Sequence, residues 1–296
     1  MSKSESIGIG DGTAGSPGVR IEGQSDLESA PMSPFFYPNK ATVCTRAFSE
    51  FLSEYHANLD SFFFVITLVS RADAARVGAA KALKGVARND EEKRKYEENE
   101  KDIDAALRQL KKHSTVQSQN LTNGAVSAFQ RYFSNIIQSA ALKRPVLLSS
   151  AQTVRLDDVL KFTRHKDLIS FIVDRKVNEL AYGGLSEMER YFSENLGVQI
   201  FANNDQRELL RLFVETRNIN VHNGGIVNEI FWSRVGKVAN FKFEKGKRFH
   251  IDFDSLVQLS ENAMRVAMHI DENVAGKFGL KRQTHKAWKS RGQSTS

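Results

Sequence analysis

A chain of 296 residues, 41% of them hydrophobic, carries enough apolar material for a buried core, in one large domain or two small ones. Its 42 lysines and arginines outnumber its 35 aspartates and glutamates, and the resulting formal charge of +7 favours an anionic partner such as nucleic acid without naming one. The single cysteine, Cys44, excludes an intrachain disulfide and a cysteine-based zinc site and points to a reducing cytoplasm.

Residues 1–33 are rich in serine and glycine and nearly free of aromatic side chains, so they are expected to form a disordered tail. Gly10, Gly12 and Gly15 spell a GxGxxG pattern there, but neither the preceding strand nor the following helix of a dinucleotide site is visible. The same residues show no charged start followed by an apolar run, hence no secretory pattern. The strongest apolar run, SFFFVITLVS at 61–70, is about half of what a membrane-spanning helix needs, so no membrane partner is expected.

From 41 to 115 the pattern predicts a helical arm. Phe48, Phe51, Leu52, Tyr55, Leu59, Phe62, Phe63, Ile66 and Val69 fall on one stripe, and the charged stretch 87–113 suits a solvated helix returning beside it. The main domain is expected at 116–276. Its first helix carries Leu121, Val126, Phe129, Phe133, Ile136 and Ala140 and should end before Pro145, whose ring disfavours helical geometry in the residue ahead of it. Further helices are predicted over 167–184, 185–197 and 205–222, the last capped by Asn204 or Asp205 and stopped by Gly224 and Gly225. Alternation around EKGK then predicts a small hairpin within 237–253, turning at Gly246. A final helix from 255 to 276 should bury Leu256, Leu259, Ala263, Val266, Ala267 and Ile270, and 277–296 should form a basic flexible tail. The expected fold class is all-α: a helical bundle with a long N-terminal helical arm and a small β-hairpin before the last helix.

The stretch VETRNINVHNGG, 214–225, places an arginine, an asparagine and a histidine in the closing turns of a glycine-terminated helix. A guanidinium is a permanently charged fork suited to phosphate, and imidazole exchanges protons near neutral pH, so Arg217 and His222 are the tools of phosphodiester cleavage without a metal. The same spacing recurs at Arg108 and His113, however. Spacing alone therefore favours a plainer reading, with Arg217 in a surface ion pair and His222 capping the helix. No histidine pair has the HxxxH or HExxH spacing of a metal site, no cofactor is called for, and Cys44 sits in an apolar neighbourhood with no nucleophile elbow.

The wording ETRNINVHNGGIVN resembles the signature of HEPN domains, in which an arginine and a polar residue are followed, after three more positions, by a histidine: here Arg217, Asn218 and His222. The likeness extends over about 116–276, through LTNGAVSAFQRYFSNII, DLISFIVDRKVNELAYGGLSEMERYFSENLG and the closing elements, and is nearest to the RiboL-PSP and related branches. It implies a metal-independent endoribonuclease acting as a homodimer, in defence, as a toxin held by an antitoxin or other protein partner, or in RNA processing. Arg217 would bind the scissile phosphate, His222 would move the proton, and Asn218 and Asn223 would position the substrate. The same resemblance allows a non-catalytic module that binds RNA, a nucleotide or a protein.

Overall fold

The structure, a computed structural model, describes Pro38 and residues 43–148, 155–235, 238 and 241–284. The expected tail at 1–33 and residues 285–296 of the basic tail lie outside the described residues. What is described is mostly helical, and no described helix is long and apolar enough to cross a membrane.

Helix α1 (Arg46–Lys84) starts at Thr45, whose hydroxyl accepts a hydrogen bond from the Phe48 N–H at 3.2 Å. Its first half sinks Phe48, Phe51, Leu52, Tyr55 and Leu59 into the core, whereas Phe64 and Leu68 farther along are exposed. The second half packs instead on α2 (Asp90–Lys101) and α3 (Ala105–Lys112), neither of which buries a residue. Asp104, ahead of α3, makes no capping bond, and Asp73 of α1 takes over that task. Its carboxylate accepts from the N–H groups of Ala106 and Leu107, both at 3.0 Å.

Helix α4 (Ser114–Lys143) is the centre of the molecule, touching α1 and the three long helices that follow. Aromatic pairs fasten it to α1: Phe51 meets Phe129 with ring centroids 6.0 Å apart, and Phe48 meets Tyr132 at 5.8 Å. The helix ends ahead of Pro145, which opens a short 3-10 turn, as the proline predicts. After the small α5 (Leu156–Val159) comes α6 (His165–Tyr191), broken at Gly184, where φ is 77°. A wide turn at Phe192–Leu196 leads to α7 (Asn204–Asn223). The cap of α7 is Asn203, one residue before the expected pair: its Oδ1 accepts from the Gln206 N–H at 2.9 Å, and Gln206 Oε1 accepts from the Ala202 N–H in return. Helices α8 (Glu229–Val235) and α9 (Phe253–Phe278) complete the set, and α9 buries all six of the residues the periodicity placed inward.

The hairpin expected within 237–253 is not formed among the described residues; 236, 237, 239 and 240 lie outside them. Gly246 does turn the chain, with φ at 75°, and the Lys247 N–H donates to the Glu244 carbonyl at 3.2 Å. The return arm then pairs elsewhere. Val227 and Phe249 donate to the carbonyls of Lys247 and Gly225 at 3.0 and 2.8 Å, and Gly246 donates to that of Val227 at 2.8 Å. The glycine stop after α7 leaves backbone groups that need partners, and this arm supplies them. Phe243 and Phe249 meanwhile stack on Phe231 of α8, with centroids 5.3 and 6.0 Å away, instead of sharing a sheet face.

The start of α1 is tied to the far end of α9. Cys44 and Gln283 exchange backbone hydrogen bonds, and buried Asp271 accepts from both the N–H and the hydroxyl of Thr45. Burial raises the Asp271 carboxyl above its ordinary range.

Candidate active site

Helix α7 presents two different faces. Leu210, Leu212, Phe213, Thr216 and Ile219 are buried, which fixes the helix against its neighbours. Its last turns border a cleft of about 640 Å³ that also reaches α4, α6 and α8. Gly224, with φ at 57°, and Gly225, with φ at 80°, end the helix there, and the Gly225 N–H donates to the Ile219 carbonyl at 2.9 Å. A Cβ on Gly225 would come within 2.9 Å of Gln119 Nε2 and 3.3 Å of the Phe249 carbonyl oxygen, so the close approach of that arm needs a glycine at this point.

All four residues singled out in the sequence, Arg217, Asn218, His222 and Asn223, line this cleft. His222 is exposed in the last turn of the helix. Arg217 is half-buried; its Nη1 donates to Asn218 Oδ1 at 3.4 Å, and its buried Nε has no hydrogen-bond partner among the described residues. Asn223 donates to the Ile226 carbonyl at 2.7 Å, so its amide nitrogen closes the turn that follows the helix.

Two residues that the sequence reading did not single out organise the cleft. Glu215 is buried, and its carboxylate accepts from Arg234 of α8 at 3.1 Å and from Asn218 Nδ2 at 3.2 Å. A carboxylate only accepts, so Glu215 fixes which way the Asn218 amide faces, and the Oδ1 is left for Arg217. Arg234 is thereby neutralised. Of the arginines that line the cleft, Arg217 alone has no carboxylate against it among the described residues. The Glu215–Asn218 contact sits at helical i, i+3 spacing in ETRN and was open to reading; Arg234 lies 19 residues from Glu215, and nothing local marks it.

Arg265, His269 and Cys44 lie outside the cleft. Arg265 pairs with Glu261 at 2.6 Å, and His269 meets the Gln199 carbonyl at 3.1 Å. Burial pushes the Cys44 thiol up to about 12, which leaves it protonated and unreactive at neutral pH. Among the described residues no group of three or more His, Cys, Asp or Glu is placed to hold a metal ion. Comparison with protein-family models, with curated proteins and with solved structures finds no match to this chain.

Proposed function

We propose that the chain is a metal-independent endoribonuclease of HEPN type that works as a homodimer and cuts RNA at the cleft ending α7. One observation carries this reading: a half-buried arginine that no carboxylate among the described residues neutralises shares a cleft with a solvent-exposed histidine. The arginine's charge is available to a phosphate, and the histidine can give or take a proton in the same space. The 2′-hydroxyl of the substrate attacks the adjacent phosphorus, losing its proton as the new P–O bond forms. The P–O5′ bond breaks, and the leaving oxygen takes up a proton. The products are a 2′,3′-cyclic phosphate and a 5′-hydroxyl. His222 serves one of these proton transfers, while Arg217 holds the phosphate oxygens as charge gathers on them.

A homodimer would bring a second arginine and histidine to the other transfer. Large apolar side chains near His222 favour a covered surface there: Val221, Ile226 and Ile230 are 50%, 39% and 59% exposed, and Ile230 itself lines the cleft.

The test is to incubate the purified chain with single-stranded RNA in EDTA, and to analyse the product ends and the sedimentation of the protein. Cleavage in chelator to cyclic phosphate ends by a dimer is the expected result. Activity that requires added magnesium or manganese, or a fully active monomer, would overturn it. RNA binding without any cleavage would support the non-catalytic module instead.

A further inference from the structure

A smaller pocket of about 200 Å³ between α4 and α6 shares Arg217 with the main cleft. We propose that it seats one unpaired nucleobase next to the phosphate held by Arg217, so that the substrate is single-stranded RNA read at one flanking position. The inference rests on the proposed phosphate site. Arg217 lines both spaces, as do Gln130 and Asn178, so a nucleotide whose phosphate meets the guanidinium has its neighbouring base at the mouth of the pocket.

The lining is that of a base rather than of a second phosphate. Phe133, Ile137, Leu180 and Met188 are buried and form an apolar wall, which would penalise an unpaired charge. Arg131 reaches the rim but is held by Glu54, with Nε to Oε2 at 2.8 Å, so it brings no free cation. Gln130 and Asn178 each offer one amide donor group and one acceptor, the complement of a base edge. At about 200 Å³ the pocket lies below the roughly 300–1,000 Å³ of ordinary ligand clefts, which suits one ring system. A base in a duplex has its pairing edge occupied and cannot enter; an unpaired one can be turned out and bound.

The test uses a short RNA carrying 2′-O-methyl groups throughout, which no attack by a 2′-hydroxyl can cleave, and the same RNA with a single abasic residue placed at each position in turn. Binding should weaken by roughly 5- to 150-fold when the abasic residue occupies one particular position and little at the others, the effect expected for losing one seated base. Ser134→Trp, which fills the pocket from α4, and the double variant Gln130→Ala with Asn178→Ala should each abolish that positional penalty. A uniform response along the RNA, a penalty that survives in both variants, or no RNA binding at all overturns the proposal. A positional penalty in a protein that never cleaves ordinary RNA would retain the base pocket and reject the nuclease reading; cleavage without any positional penalty would do the reverse.

Discussion

Arg108 with His113 and Arg217 with His222 have identical spacing and opposite surroundings. Arg108 rides on α3, a short helix that buries nothing, and its guanidinium is taken by Asp102, the leading cause of its raised pKa. His113 falls at the joint between α3 and α4, with its N–H donating to Leu110 and its carbonyl accepting from Gln117, both at 3.0 Å. Arg217 rides on a helix pinned by a buried face, over a cleft, with its neighbouring carboxylate already claimed by Arg234. Spacing puts two side chains near one another; a site further needs a rigid support, a concavity and a charge left unspent.

The sharpest way to break this comparison is to mutate both pairs. Arg217→Ala and His222→Ala should each lower RNA cleavage by roughly two to four orders of magnitude, the usual worth of acid–base catalysis for the histidine and of charge stabilisation at the phosphate for the arginine. As a cap alone, His222 would cost only about 0.3–1 kcal/mol of stability, read by urea unfolding. Arg108→Ala and His113→Ala should leave cleavage unchanged. Equal losses from the two pairs would show that neither cleft nor free charge matters.

A smaller effect should follow from Glu215, the residue that distinguishes the two surroundings most. Glu215→Ala leaves Arg234 and Asn218 without their shared acceptor and should destabilise the fold by about 1–3 kcal/mol in urea unfolding, below the full cost of breaking a buried pair because the Arg234 side chain is 45% exposed and can turn to water. Cleavage should fall as well, since the Asn218 amide would no longer be oriented. Glu215→Gln keeps an acceptor and should lie between the variant and the wild type in both measurements. Unchanged stability in Glu215→Ala would mean that the network does not hold α7 to α8.

What the sequence made legible was local. The helical stripes of α1, α4 and α9, the proline and glycine stops, and the grouping of Arg217, Asn218 and His222 all follow from spacings within a few residues. What it hid spans distance along the chain. The Asp73 cap on α3 lies 33 residues from Ala106, Gln130 and Asn178 come from other helices, and the alternation at 241–249 marks extended backbone without saying that its partner is the segment leaving α7. A residue's own pattern tells how its backbone runs, whereas its partner is chosen by whichever unsatisfied group the fold brings close.

The smallest expected effects concern pH, and they contrast the arm that carries Arg108 with the bundle that carries Arg217. Asp73 is held below the usual carboxylate range, first by the Ala106 N–H and then, against the opposing cost of burial, by Leu107 and Arg76. The folded state therefore binds fewer protons there than the unfolded chain, so this stabilisation is complete above the unfolded value of about 3.9 and is lost as pH falls through the lower folded one. Asp271 has the opposite sign: burial raises its carboxyl, the fold keeps the proton longer than the unfolded chain does, and stability declines as pH rises from about 3.9 to the folded value, then levels off. In urea unfolding followed against pH, Asp73→Asn should cost more at pH 7 than in acid, and Asp271→Asn should cost more in acid than at pH 7. Because the partners of Asp73, the start of α3 and Arg76, all lie in the arm, its variant should also cleave RNA at the wild-type rate. A parallel loss of cleavage would tie the arm to the cleft and end the contrast between the two regions.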